Sequence, residues 1–277
     1  MKQMSDQLDL TVDGEGSTAD GRNALLEIRN LRKRFGGIDA VDGIGFDIEP
    51  ATITGLIGPN GAGKSTTFNL ITGVYRPDGG TVRFAGEDVT GFRPNQLAKR
   101  GLVRTFQITR ELNEMTVLEN MLLAFKGQLG EQLYRSVLPV LRREVVEQEH
   151  ELLASVWEIL ELFELDHLAH EEAGTLSGGQ RKLLELSRAL LTNPEMLLLD
   201  EPMAGVNPSL EQHLLERIHE LHGEGYTFLL VEHDMNVIME HCERVIVMHQ
   251  GQILADGSPA EIQQNEAVIE AYLGGEV

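Results

Sequence analysis

The sequence contains a single cysteine, Cys242, among its 277 residues. One cysteine excludes a disulfide within the chain and is typical of proteins from a reducing compartment. Long apolar runs are also missing: the longest extend over about five residues, whereas a membrane-spanning helix needs roughly 20. The start of the chain is polar and acidic, without the apolar stretch of a signal peptide. These absences predict a soluble protein of the cytoplasm.

Basic residues are scarce, since 23 Lys and Arg stand against 44 Asp and Glu, a formal net charge of −21. Binding to bulk nucleic acid needs a basic surface, and adsorption to anionic lipid needs clustered Lys or Arg. The charge therefore argues against both, and any work at a membrane requires another protein to hold the chain there. Two interpretations of the acidity stay open: a surface adapted to high salt, or a merely acidic protein.

Apolar patterning predicts a short tail followed by one large domain. Residues 1–24 are predicted to be a disordered tail, and the domain covers 25–277. Short strands with turn signals fill the first hundred residues, and a stretch with helical spacing follows them. Continuous apolar runs at 196–199 and 228–231 are typical of parallel strands covered on both faces. We therefore predict an α/β fold with an antiparallel β subdomain and an inserted helical subdomain over about 108–190.

Local signals predict several element boundaries. A helix is expected from about 63 to 72, and Pro77-Asp78-Gly79-Gly80 predicts a tight turn before the next strand. Pro139 is predicted to separate two helices. Ser258-Pro259-Ala260-Glu261 is a capping box with proline at the first helical position, which predicts the start of the last helix.

Nine consecutive residues form a phosphate-loop motif between an apolar strand and a helix. They are Gly58, Pro59, Asn60, Gly61, Ala62, Gly63, Lys64, Ser65 and Thr66. The glycines let the backbone curl so that successive N–H groups point inward, and the helix N-terminus adds partial positive charge. Lys64 is expected to reach the β- and γ-phosphates of a nucleotide, and the Ser65 hydroxyl to ligate Mg²⁺. The chain is therefore predicted to bind a nucleotide.

Two adjacent carboxylates, Asp200 and Glu201, end the apolar strand at 196–199. Open α/β sheets bind ligands at the carboxyl ends of their strands, so both side chains are expected at the nucleotide. Asp200 suits Mg²⁺ as a hard carboxylate ligand, reached through water. Glu201 suits the general base that orients water for attack on the γ-phosphate.

The pentapeptide Leu176–Gln180 (LSGGQ) precedes a helical run from about 181 to 192. Ser177 and the two glycines present a hydroxyl and backbone N–H groups at a helix N-terminus, which predicts a second anion site. Two separate phosphate sites on one chain make sense if the second site of each chain completes the nucleotide site of another chain.

These motifs, in this order, resemble those of ATP-binding-cassette (ABC) ATPases, which are P-loop NTPases with a RecA-like core. The resemblance implies ATP and Mg²⁺ as cofactors, sandwiched between two chains arranged head to tail. Ser177, Gly178, Gly179 and Gln180 would then contact the nucleotide of the partner chain in trans.

The resemblance also implies roles for three isolated residues. His233 would contact the γ-phosphate and hold the attacking water. Gln107 would touch Mg²⁺ and couple the site to a membrane partner. Phe35, which lies before the phosphate loop, would stack on adenine, although a plain buried strand aromatic is the alternative for that ring.

From residue 25 to 274 the chain is similar to the LivG-like ATP-binding subunits of branched-chain (hydrophobic) amino-acid importers. The segments that carry the resemblance are Arg34–Gly37, Arg104–Gln107, Met115–Asn120, Ala204–Pro208, Glu232–Met235 and Ala271–Gly274. It implies an ATP-hydrolysing subunit at the cytoplasmic face of the membrane, held there by two transmembrane permease subunits. A second ABC ATPase subunit, identical or a sibling, and an extracytoplasmic substrate-binding protein would complete the importer, with no nucleic acid involved.

Two other functions remain open on the sequence alone. An ABC ATPase that exports lipid or lipopolysaccharide would carry nearly identical motifs, although the ending Ala271–Gly274 favours the importer. A soluble ABC ATPase acting on ribosomes or DNA is the other, but such proteins generally carry two cassettes or a long coiled coil. The net charge of −21 also disfavours a nucleic-acid partner.

Overall fold

A computed structural model of the chain describes residues 24–105, 113–124, 139–232 and 234–273. The strands in these ranges form two sheets. The first is antiparallel and consists of β1 (Leu26–Phe35), β2 (Ile38–Ile48), β4 (Gly79–Phe84) and β5 (Glu87–Asp88). Its strand order is β2-β1-β4-β5. Gly36, with φ 58°, turns the chain between β1 and β2.

The second sheet carries the phosphate-loop strand at its centre. Its strands are β3 (Ile53–Ile57), β6 (Leu102–Arg104), β7 (Met196–Asp200), β8 (Thr227–Val231), β9 (Arg244–His249) and β10 (Gln252–Gly257). The order is β10-β9-β3-β8-β7-β6, and all neighbours are parallel except β9 and β10. The continuous apolar runs predicted to be buried parallel strands are therefore β7 and β8.

Helices cover the parallel sheet and follow the predicted helical stretches. Those in the described ranges are α1 (Lys64–Ile71), α2 (Pro94–Ala98), α3 (Val117–Leu122), α4 (Pro139–Leu162), α5 (Gly178–Leu190), α6 (Pro208–Gly223), α7 (Met235–His241), α8 (Pro259–Gln263) and α9 (Glu266–Leu273). Of these helices, none combines the length and apolar character needed to cross a membrane. The helical subdomain predicted over about 108–190 contains α3, α4 and α5, but its limits stay a prediction, as does the division at residue 24.

Two predicted boundaries are wrong. Ser258 does cap a helix, accepting the Glu261 N–H, but that helix is α8 and not the last one. Asn265 interrupts the run, and its side-chain oxygen accepts the Ala267 N–H at 3.0 Å, so a new helix starts there. Gly79 and Gly80 belong to β4 and not to the turn before it. Pro139 is the first residue of α4, and the stretch before it lies outside the described residues.

The two faces of the parallel sheet contribute to two hydrophobic clusters. Leu56, Leu198 and Leu229 point to one face and join the antiparallel sheet and Phe68 of α1. Their neighbours Ile57, Leu197, Leu199, Phe228 and Leu230 point to the other face and join α5 and α6. Because side chains alternate along a strand, a run of consecutive apolar residues is needed to fill both clusters. This packing holds the carboxyl ends of β3, β7 and β8 at one edge.

Candidate nucleotide-binding site

The phosphate loop leaves β3 at Gly58 and enters α1 at Lys64. Gly58, Gly61 and Gly63 have φ values of 151°, 80° and 104°, which side-chain-bearing residues rarely adopt. A Cβ on Gly58 would lie 2.2 Å from the Met248 carbonyl oxygen, and one on Gly63 would lie 2.5 Å from that of Ala40. Two of the motif glycines are therefore required by close backbone approach as well as by conformation.

Lys64 lies against the loop that precedes it. Its ammonium group donates to the carbonyl oxygens of Gly58 at 2.6 Å and Pro59 at 3.2 Å. Burial lowers the pKa of Lys64, although the charges of Glu201 and Asp200 act in the opposite direction. The ammonium is thus held at the centre of the loop and close to both carboxylates. Ser65, the next residue, is exposed at the N-terminus of α1, so its hydroxyl is accessible to a metal ion.

Asp200 ends β7 and pairs with an arginine to which the sequence assigned no role. The Arg104 guanidinium donates to Asp200 Oδ2 at 2.6 Å and to Asn69 Oδ1 at 2.6 Å. It also lies 5.2 Å from the centre of the Phe68 ring. Arg104 ends β6, the neighbour of β7, so the register of the sheet explains this pairing of residues 96 positions apart. The arginine joins Asp200 to α1, the helix that begins with the phosphate-loop lysine.

Glu201 has an unusual backbone conformation, with φ at 49°. Left-handed backbone at a residue other than glycine is strained and recurs at functional sites. Its N–H donates to the Val231 carbonyl at 2.8 Å, and its own carbonyl receives the Lys182 ammonium at 3.5 Å. The residue predicted to orient water is therefore held by β8 on one side and by α5 on the other.

The LSGGQ pentapeptide forms the start of α5. Ser177 is the N-cap: its hydroxyl accepts the Gln180 N–H at 3.3 Å, while Gln180 Oε1 accepts the Ser177 N–H at 2.9 Å. Ser177 and Gly178 are exposed, whereas a Cβ on Gly179 would lie 1.9 Å from the Leu210 side chain. Gly179 therefore lets α6 pack closely, and the exposed pair presents the helix N-terminus.

The phosphate loop and the pentapeptide face different cavities. Residues 59–62 line a cavity of about 600 Å³ together with the β9–β10 turn and α9. Gly178 lines another of about 440 Å³ with Arg181, Lys182 and Glu185. This separation is consistent with the prediction that the pentapeptide serves a second chain.

A buried carboxylate near this second cavity was not singled out in the sequence. Glu185 of α5 has a pKa raised to about 7, because burial outweighs the attraction of Lys182, Arg188 and Arg104. Its side chain also hydrogen-bonds to Thr105. No local pattern identifies it, since a glutamate on a helix after a glycine-rich motif is normally solvated.

The structure describes only one of the three residues whose roles were implied by the family resemblance alone. Phe35 is 44% exposed and its ring packs edge-on against Tyr75, with centroids 5.3 Å apart, so the alternative of a plain buried aromatic is wrong. Adenine stacking by Phe35 stays a prediction. Gln107 and His233 lie outside the described residues, although Thr105 and Glu232 beside them are described.

Comparison with protein families gives two matches. Residues 41–204 match the family described as ABC transporter, and residues 252–277 match the family described as branched-chain amino acid ATP-binding cassette transporter. The first match spans the phosphate loop, the pentapeptide and both carboxylates. The second covers β10, α8 and α9.

Curated relatives are similar over nearly the whole chain. A high-affinity branched-chain amino acid transport ATP-binding protein LivG of Escherichia coli K12 is 43% identical over 253 residues, which are 90% of this chain and 98% of the relative. A probable branched-chain amino acid transport ATP-binding protein LivG of Archaeoglobus fulgidus is 42% identical over 252 residues, covering 91% and 96% of the two chains. The BraF protein of Pseudomonas aeruginosa, a high-affinity branched-chain amino acid transport ATP-binding protein, is 42% identical over 253 residues, covering 90% and 98%.

Solved structures have the same fold. A nucleotide-free ATP-binding cassette from an ABC transporter superposes with a TM-score of 0.78 at 38% identity, covering 90% of this chain and 98% of the other. The ADP conformation of an ATP-binding cassette of an ABC transporter gives the same score at 39% identity, covering 91% and 99%. The predicted cassette fold is confirmed by this likeness.

Proposed function

Because the chain belongs to the ABC transporter family, we propose that it is the ATP-hydrolysing, energy-coupling subunit of an importer for branched-chain or other hydrophobic amino acids. The observation that carries the proposal is a strained Glu201 beside Asp200 and Lys64, on a chain similar to amino-acid transport subunits. The match over residues 252–277 favours amino-acid import over lipid export.

The nucleotide would be held mainly by backbone groups of the phosphate loop. The positive φ values of its glycines bend the chain in the manner of anion-binding loops, and α1 points its N-terminus at the same place. Lys64 donates here to two loop carbonyls, which are weaker acceptors than phosphate oxygens. We expect the ammonium to exchange these carbonyls for the β- and γ-phosphates.

Mg²⁺ fits the donors next to this loop. Ser65 offers an exposed hydroxyl, Asp200 a carboxylate, and Gln107 would supply a side-chain oxygen. The Arg104 guanidinium donates to Oδ2 of Asp200, and the carboxylate would hold the metal, directly or through water, while it is paired with the arginine. When bound, Mg²⁺ neutralises charge on the β- and γ-phosphates during transfer.

Hydrolysis would depend on Glu201 and His233. Glu201 follows Asp200 directly and would orient and deprotonate the attacking water, while His233 would contact the γ-phosphate. The parallel pairing of β7 and β8 sets Asp200 opposite Val231, so Glu201 follows directly at this edge of the sheet. His233 stands two positions after Val231 in the sequence and would act from there.

A complete site would need two chains. Ser177, Gly178, Gly179 and Gln180 would contact the γ-phosphate bound by a partner, so ATP would join two cassettes and ADP would not. Closure would move two attached permease subunits, and hydrolysis would reopen the pair. The partner cassette would be a second copy or a sibling subunit, and a substrate-binding protein outside the membrane would deliver the cargo. The acidic chain would then be held at the cytoplasmic face by the permease.

Purification of the complex tests the transport proposal. The full chain is tagged in its own cells, the membranes are solubilised gently, and co-purifying proteins are identified by mass spectrometry. We expect two multi-helix membrane proteins and a second cassette subunit. Recovery from the soluble fraction alone, or with ribosomes or nucleic acid, would contradict transport and leave the ATPase assignment standing.

A single substitution tests the catalytic assignment. Glu201→Gln keeps the size of the side chain but removes the base, so we expect ATP binding to persist while turnover falls roughly 10²- to 10⁴-fold. Closed dimers with trapped ATP should accumulate, as measured by gel filtration with ATP and Mg²⁺. Normal turnover in this variant would remove Glu201 from its role.

A further inference from the structure

Glu232 is a buried carboxylate at the end of β8, directly before His233. Only 6% of the residue is exposed. A buried carboxylate is costly unless hydrogen bonds satisfy it, so the contacts of Glu232 indicate what it does in the fold.

One of these contacts crosses from β8 to the turn that follows β7. The Met203 backbone N–H donates to Glu232 Oε1 at 2.8 Å, across 29 positions of sequence. Met203 is itself buried and lies two residues after Glu201. The side chain of Glu232 therefore holds the turn that begins at Glu201.

Besides the contact between Lys182 and the Glu201 carbonyl, the stretch Val231–Glu232 binds the chain before and after the Glu201 Cα. On one side, the Glu201 N–H donates to the Val231 carbonyl at 2.8 Å. On the other, Met203 is held by Glu232. A left-handed conformation at a glutamate persists only where the surroundings maintain it, and these two bonds bracket the strained residue. Val231 contributes a main-chain carbonyl, whereas Glu232 contributes a side chain that a substitution can remove.

We propose that Glu232 is a positioning residue for ATP hydrolysis, which holds Glu201 in its strained conformation. The proposal rests on the proposed ATPase function. Glu232 itself does not need to touch the nucleotide. Its effect on the reaction passes through the Met203 N–H to the backbone of Glu201.

Two substitutions separate the hydrogen bond from the size of the side chain. Glu232→Met keeps the length but removes the acceptor, and Glu232→Gln keeps an acceptor oxygen. We expect kcat to fall roughly 10- to 100-fold in Glu232→Met, the range that a misplaced catalytic group costs. Glu232→Gln should keep most of the activity. Binding of a fluorescent ATP analogue and KM should change little in both, because the phosphate loop is untouched.

Glu243→Met is the matched control for the loss of a carboxylate that accepts a backbone N–H. Glu243 accepts the Ile53 N–H at 3.3 Å at the start of β3, the end of the strand away from Gly58. We expect it to leave kcat unchanged whatever it does to the melting temperature. If Glu232→Met lowers the melting temperature like the control and leaves kcat unchanged, the positioning role is wrong.

The assays use the full chain in the complex purified from its membranes, or the full chain alone if no complex forms. Glu201→Gln is measured in parallel. Normal turnover in Glu201→Gln would overturn the proposed catalytic assignment and the Glu232 role with it. Slow turnover in Glu201→Gln with normal kcat in Glu232→Met would overturn the Glu232 role alone.

If Glu232→Met fails to fold by circular dichroism, Glu232→Asp replaces it, because its shorter carboxylate should not reach Met203. A reduced kcat then supports the role, and a normal kcat overturns it.

Discussion

Glu185 shows how a single residue acquires a property from its surroundings. Glu185 lies on α5 and only 9% of the residue is exposed, and burial raises its pKa to about 7. The positive charges of Lys182, Arg188 and Arg104 lower the pKa but do not offset the loss of hydration. The carboxyl group therefore keeps its proton in the folded chain up to a pH at which an exposed glutamate is ionised.

The raised pKa predicts a pH-dependent effect of Glu185→Gln. Between about pH 4.5 and pH 7 the folded chain binds this proton more tightly than the unfolded chain, so its contribution to the free energy of unfolding falls as pH rises. Glutamine resembles the protonated form, so the variant should melt at a higher temperature than the unaltered chain at pH 8 and at a similar temperature at pH 5. We expect a gain on the order of 1–3 kcal/mol at pH 8.

Thermal melts at both pH values check the Glu185 prediction. Glu151→Gln, on an exposed position of α4, is the control and should show the same small change at pH 5 and pH 8. An equal gain for Glu185→Gln at both pH values would mean that better packing, and not the loss of a buried charge, explains it.

Among the elements, the phosphate loop connects β3 to α1 and packs against the end of β9. Gly58 and Gly61 belong to the same loop and both have positive φ, but only Gly58 lies against another carbonyl. Around Gly61, no atom of the described residues other than its chain neighbours lies within 4 Å of the position that a Cβ would take. A side chain at Gly61 would therefore cause backbone strain alone, whereas a side chain at Gly58 would cause the same kind of strain and a steric clash.

Gly58→Ala should therefore be more damaging than Gly61→Ala. The added methyl group meets the Met248 carbonyl oxygen, so either the loop or β9 must move, and we expect a loss of roughly 1–3 kcal/mol in the free energy of unfolding. Binding of a fluorescent ATP analogue should also be lost or strongly weakened. Denaturant unfolding of both variants is the measurement, and equal losses would contradict the role given to the Met248 contact.

The elements could be predicted where a periodic pattern or a local motif specifies them. β7 and β8 follow from continuous apolar runs, because both of their faces are covered, and α5 follows from the helical run after the LSGGQ pentapeptide. The break between α8 and α9 was missed because the Ser258 capping box and the apolar spacing beyond it suggest one helix. The Asn265 side chain starts a new helix there by accepting two N–H groups.

The molecule as a whole has a formal net charge of −21, because the few basic side chains can pair with only part of the acidic ones. Arg29 pairs with Asp47, Arg100 with Glu87 and Arg244 with Asp256, yet acids outnumber bases almost two to one. Exposed ion pairs contribute little stability, whereas a high net charge of one sign destabilises a compact chain by self-repulsion. Screening of that repulsion should therefore dominate the response to salt.

We expect the melting temperature to rise between about 0.1 M and about 1 M KCl, as the screening length falls from roughly 10 Å to roughly 3 Å. ATPase activity should rise over the same range if the acidity is an adaptation to salt. A melting temperature that stays flat or falls would contradict the self-repulsion argument. A rise in stability without a rise in activity would favour the merely acidic protein.

The features that depend on consecutive residues can be recognised without the fold: the phosphate loop, the LSGGQ pentapeptide, the Asp200-Glu201 strand end and the family resemblance. The functional groups of such motifs lie within a few consecutive residues, so the spacing of those residues in the sequence largely sets their arrangement in space. The contacts that hold these features in place are seen only in the folded chain. Arg104 reaches Asp200 across 96 positions, and Glu232 reaches Met203 across 29. These contacts arise because parallel strands bring distant residues to one edge of a sheet, and no local pattern records which strands become neighbours.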